Sequence, residues 1–138
     1  MVLVIDSQVA GVSGDMLLCS LVNMGVNKSR IIDGIRSAES LCKDVKVKKL
    51  DFVEVKKNSL HATGLLLEID GDAQERKGTE IKEIIEKSVE KLQISEKAKT
   101  FAVNTIETLI RAESKIHSEP EESVHFHEAA GFDTVVDI

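Results

Sequence analysis

The spacing of apolar residues changes from helical to alternating near position 45 and returns to helical beyond 78, and those changes restrict the fold more than any other feature. From 45 to 55 charged and apolar residues alternate, with one phase slip near Lys49, and 60–69 reads as another strand, with Gly64 as a bulge or close-approach point. A period of two belongs to extended chain with one buried face, and a slip in it marks a β-bulge. Lys57, Asn58 and Ser59 between the runs suit a hairpin turn. Beyond 78 the period becomes helical. Ile81, Ile84, Ile85, Val89 and Leu92 form one stripe, and Ala98, Phe101, Ala102, Ile106, Leu109, Ile110 and Ile116 form a longer one that Ser95 can cap. Residues 70–78, an Asp-Gly-Asp sequence followed by charges and Gly78, read as an internal linker.

The first third adds a strand and two helices. Residues 2–5 are a continuous apolar run, the pattern of a buried strand, ending at Asp6. A loop containing Gly11, Ser13 and Gly14 leads into a helical run at 16–24, which Gly25 ends. Asn27 or Ser29 can cap a second helix, with Ile31, Ile32, Ile35, Ala38 and Leu41 on one face. The only proline, Pro120, breaks the long helix after His117 and turns the chain toward a last short strand or loop and a final helix from Gly131. The order predicts an α+β fold, a small mixed sheet with an antiparallel hairpin covered by helices, in one domain spanning 1–138. With four Phe and neither Trp nor Tyr, its core must be aliphatic.

A net charge of −6 argues against nucleic acid and anionic lipid as partners. The lysines at 46, 48, 49, 56 and 57 alternate with apolar residues and read as a solvated sheet face. Cys19 and Cys42 form no disulfide framework or CxxC pair and fall in apolar helical patterns, where cysteine behaves as a small buried hydrophobe. No apolar run is long enough to span a bilayer and no signal peptide is visible, so a cytoplasmic location is expected.

Chemistry concentrates at the two ends. In extended chain His125 and His127 point the same way, Glu128 follows at once, and Asp133 and Asp137 share a face of a helix. Imidazole with carboxylate suits a borderline divalent ion such as nickel or zinc, although the same residues can form a hydrogen-bonded surface cluster. At the other end, Asp6 closes a strand, where an acid can bind metal or substrate, and Asp15 fits either a helix N-cap or a ligand. Gly11, Ser13 and Gly14 lie where a loop and a helix N-terminus can receive an anion, without matching a P-loop or GxGxxG. His61 reads as a half-buried sheet residue, and His117 as a cation at a helix C-terminus.

These segments resemble one family. Residues 9–16, Val-Ala-Gly-Val-Ser-Gly-Asp-Met, are similar to its SGISGDM signature, and 124–138, from Val-His-Phe-His-Glu to Val-Val-Asp-Ile, to its VHFHEVGAVDSIVDI signature. Residues 55–58 and 111–117 resemble family segments at the same places, so the likeness covers essentially the whole chain. The family is LarC, the nickel insertion proteins. The resemblance implies CTP-dependent insertion of Ni²⁺ into pyridinium-3,5-bisthiocarboxylic acid mononucleotide, a chelatase of the lyase class that completes the nickel-pincer cofactor of lactate racemase. Carried over by position, it implies His125, His127, Glu128, Asp6 and Asp15 as metal ligands and Gly11, Ser13 and Gly14 as contacts to a phosphate. The resemblance assigns no catalytic group. Because full-length members add a C-terminal domain, to which CTP use is assigned, it implies an N-terminal part working with a C-terminal domain or subunit. Where many members carry a histidine-rich stretch, residues 71–78 hold no histidine, and the loop from Asp6 to Asp15 is one residue longer than in many relatives. A non-catalytic metal- or nucleotide-binding module and a structural homo-oligomerisation domain are the alternatives.

Overall fold

The computed structural model describes residues 4–8, 11–57, 59–71, 75–127 and 131–138. Among the described residues the elements run α1 (Gly14–Asn23), α2 (Lys28–Glu39), β1 (Lys46–Lys57), β2 (Leu60–Asp70), β3 (Arg76–Lys77), α3 (Gly78–Lys91), α4 (Glu96–His117), β4 (His125–Phe126) and α5 (Phe132–Asp137). A 3₁₀ turn at Glu121–Ser123 leads into β4. The class is α+β as expected, with the strands in two separate antiparallel pairs, β1–β2 and β3–β4.

The hairpin forms where the alternation places it. Lys46 faces Asp70, Lys57 faces Leu60, and the register shifts between Val47 and Lys49, beside the phase slip. Ser59 closes the turn in the left-handed region at φ 66, and Asn58 lies outside the described residues. Caps hold the helices as expected: Ser95 Oγ accepts from the Ala98 N–H at 3.2 Å, and Asn27 Oδ1 from the Ser29 N–H at 2.9 Å. Each satisfies a backbone donor that the first helical turn leaves open. Gly25, at φ 100, ends α1 by donating to the Val22 carbonyl.

One core joins the layers, and it is not purely aliphatic as the composition implied, because Phe126 and Phe132 are buried in it. Ile81 and Ile106 at 0% exposure bring α3 against α4, Phe132 at 0% seals α5 onto them, and Val124 and Phe126 at 2% anchor the β4 segment. Cys19 and Cys42 are both buried, as their apolar settings imply.

Three further expectations are corrected. The strand at 2–5 does not form over its described part: Val4 and Ile5 are 80% and 59% exposed and unpaired. An apolar run shows that a segment could be buried, and here no described strand or helix covers it. On α4, Phe101 and Ile116 leave the predicted stripe and are each 71% exposed. At about 100° per residue, Phe101 lies roughly 140° around the helix from Ile106, away from the core. Within 70–78, Arg76 and Lys77 pair with Phe126 and His125 as β3, and Arg76 is buried at 3%, its Nη2 donating to Asp44 Oδ2 at 2.6 Å. No described helix is long and apolar enough to cross a membrane.

Candidate functional site

The histidine segment is held by close backbone approach. The Gly78 N–H donates to the Val124 carbonyl at 3.0 Å, and a Cβ at Gly78 would lie 2.9 Å from Ile110 Cγ1 and 3.3 Å from Phe126 Cε2. Only glycine lets the start of α3 come this near to α4 and β4. Phe126 turns into the core, and alternation along the strand turns His125 and His127 to the other face.

On that face a cavity of about 220 Å³ is lined by Glu75, His117, Glu119, Val124, His125 and His127. Three of the chain's four histidines therefore share one wall. His125 is half-buried and its Nδ1 lies 2.9 Å from Glu75 Oε1. That nitrogen is sealed from solvent and makes no hydrogen bond among the described residues, so the carboxylate stands close to it without an aligned bond. His117 Nε2 lies 3.3 Å from Glu113 Oε2 one turn back on α4. Glutamates thus stand beside two of the three imidazoles, and carboxylates next to ring nitrogens are what orients metal-bound histidines.

The first loop lies elsewhere, beside α5. Asp15 Oδ1 accepts from the Met16 N–H at 2.8 Å and from the Ser13 hydroxyl. Ser13 is the N-cap residue of α1, without a side-chain capping bond. The open donor at Gly14 goes instead to the Asp137 carboxylate, which sits where a Cβ on Gly14 would be. Burial, then the nearby charges of Asp15 and Asp133, pushes the Asp137 carboxyl above the usual carboxylate range against the pull of that N–H. Asp15 also raises the Cys19 thiol, after burial.

The expected residues thus fall into two groups. His125 and His127 come together with His117 and Glu75. Asp15, Ser13 and Gly14 come together with Asp137 and Asp133. Thr134 of α5 borders a second histidine cavity, so one short helix stands between the groups. Asp6 Oδ1 accepts from the Gln8 N–H at 2.9 Å and lines neither histidine cavity. Gly11, at φ 73, is exposed in the loop, and Glu128 lies outside the described residues. No three described His, Cys, Asp or Glu side chains are already gathered at metal-binding distances. Sequence reasoning missed His117 and Glu75. The short return through Pro120 could have brought His117 to notice, whereas Glu75 depends on the β3–β4 pairing, for which no local signal exists.

The profile of the nickel insertion protein family matches residues 3–138. The chain belongs to that family. A pyridinium-3,5-bisthiocarboxylic acid mononucleotide nickel insertion protein of Staphylococcus saprophyticus is 30% identical over 129 residues, covering 94% of this chain and 31% of the relative. One of the same description from Staphylococcus epidermidis is 33% identical over 131 residues, covering 94% and 30%. A Dictyoglomus thermophilum protein with a provisional nickel-insertion name is 31% identical over 129 residues, covering 94% and 31%. The chain spans about a third of the length of these curated nickel insertion relatives. No solved structure matches it significantly.

Proposed function

We propose that this chain is the N-terminal, nickel-handling part of an enzyme that inserts Ni²⁺ into pyridinium-3,5-bisthiocarboxylic acid mononucleotide to make the nickel-pincer cofactor of lactate racemase. CTP use is assigned to a C-terminal domain or subunit. The observation that carries the reading is the shared wall of His117, His125 and His127, with carboxylates beside two of them.

An insertion protein must hold its ion firmly enough to select it and loosely enough to release it. Imidazole and carboxylate are exchangeable donors for a borderline ion, and the thiocarboxylate sulfurs of the substrate are softer, so transfer runs from protein to product. In this reading His125 and His127 bind the ion, His117 completes the set, and Glu75 orients His125. Glu128, next to His127 in sequence, is the remaining candidate ligand of this segment. Asp15, with Asp133 and Asp137, forms an acidic approach on the far side of α5, and Asp6 stays a candidate ligand on the sequence resemblance alone. A substrate phosphate at Gly11, Ser13 and Gly14 would have to displace Asp137 from the Gly14 N–H, so entry of the mononucleotide is coupled to movement of α5.

Equilibrium Ni²⁺ titration tests the metal site. His125→Ala/His127→Ala should abolish the tight phase, and Glu75→Gln should weaken it by about 10–100-fold, as loss of an orienting partner does. Equal binding by wild type and the double variant removes the site. Cofactor synthesis assayed with CTP, with and without a C-terminal partner, tests the enzyme reading, and no product in either mixture reduces the chain to a metal-binding module.

A further inference from the structure

An apolar groove of about 530 Å³ runs between α2, α3, α4 and α5, away from the histidines. Ile31, Ile35, Val89, Leu92 and Phe101 line it, Lys97 is the one charged side chain lining it among the described residues, and Phe101 is 71% exposed at its margin. A phenylalanine so exposed beside a groove this apolar marks a surface that another apolar surface covers. Ile138 also lines the groove. The neighbouring α5 has six residues, too few to be stable alone, and buries Val135 and Val136 in the groove's inner wall. The relatives are about three times as long as this chain.

We propose that this groove is the docking seat for the polypeptide that makes up the rest of those relatives, received as an amphipathic helix with an aliphatic face. The inference rests on the partner invoked under the proposed function. An aliphatic helix fits a long open groove with scarcely any polar group to orient a small ligand. Docking there leaves the histidine wall uncovered, so the partner can bring a nucleotide to the site without blocking it.

The test uses the 138-residue chain and, as probe, the part of the Staphylococcus saprophyticus protein outside the matched region, produced separately and titrated by calorimetry. Phe101→Asp should weaken binding at least tenfold. Leu60→Asp, at an equally exposed residue (74%) in the hairpin turn, should change it less than twofold. No binding by wild type, or equal weakening by both variants, overturns the groove as the seat. A wild-type dimer in light scattering that Phe101→Asp converts to monomer would give the groove to a second copy, and decanoate binding lost in the same variant, without protein binding, to a small apolar ligand. Either result overturns the proposal. Because Phe101 lines neither histidine cavity, Phe101→Asp should keep wild-type Ni²⁺ affinity, and His125→Ala/His127→Ala should keep wild-type docking. Failure of one reading is thereby separable from failure of the other.

Discussion

Gly78→Ala is the substitution that best tests how the histidine segment is held. The added methyl would meet Ile110 Cγ1 at 2.9 Å, Phe126 Cε2 at 3.3 Å and Ile110 Cδ1 at 3.4 Å. Both neighbours are core residues, at 4% and 2% exposure, so neither can swing into solvent. Forcing a methyl into such packing costs about 1–3 kcal/mol. The gain in helix propensity offsets at most about 1 kcal/mol, and less at the first position of α3 than in a helix interior. The expected net loss is about 1–2 kcal/mol, which lowers a urea midpoint by roughly 0.5–1 M at an ordinary slope for a small domain. Ile110 must yield first and Phe126 by a few tenths of an ångström, and because Phe126 stands between His125 and His127, Ni²⁺ affinity should fall with stability. In an Ile110→Ala background the methyl would fill part of the cavity, and Gly78→Ala should become neutral or stabilising. Urea unfolding of the four proteins of this double-mutant cycle measures the coupling. Gly78→Ala as stable as wild type, or as damaging with Ile110 truncated as without, would refute the packing argument.

Two further outcomes test the surroundings. The folded-state pKa of Asp137 is raised by burial and by Asp15 and Asp133, so the stability this group contributes is full below the unfolded carboxylate value of about 3.9 and is lost as pH rises through the folded one. Asp137→Asn, which keeps an acceptor for the Gly14 N–H, should therefore be more stable than wild type at pH 7, with the difference vanishing near pH 3. Equal stability across that range in thermal unfolding would contradict it. Asp44→Ala should cost more than the roughly 0–1 kcal/mol of a surface ion pair, because it strands the guanidinium of Arg76 at 3% exposure. A loss of that size that disappears in Arg76→Met/Asp44→Ala would locate the cost in the buried charge.

Much of this architecture is legible locally. Alternation at 45–55, with the apolar run at 60–69 and the turn residues between them, specifies the hairpin and its bulge, because side-chain direction in extended chain depends only on parity. The stripe through Ile81, Ile84, Ile85 and Val89 specifies the buried face of α3 for the same kind of reason, and Ser95 and Asn27 announce helix starts through bonds made within three residues. Phe101 and Ile116 were misjudged because a set of apolar residues on a long helix does not state which of its possible faces the neighbours will cover. Val4 and Ile5 show the same limit for a strand.

The sequence by itself determined the class of fold, the family and the residue types that can hold a divalent ion, since each depends on composition and on spacing along one segment. It also placed His125 and His127 on one side of the chain. Tertiary structure alone decided that His117 and Glu75 share their wall, that Gly14 spends its N–H on Asp137, and that Asp15 faces α5. Those arrangements depend on distances between segments far apart in the chain. Such distances are set by how a whole core closes around Phe132, Ile81 and Ile106, and no local pattern encodes them.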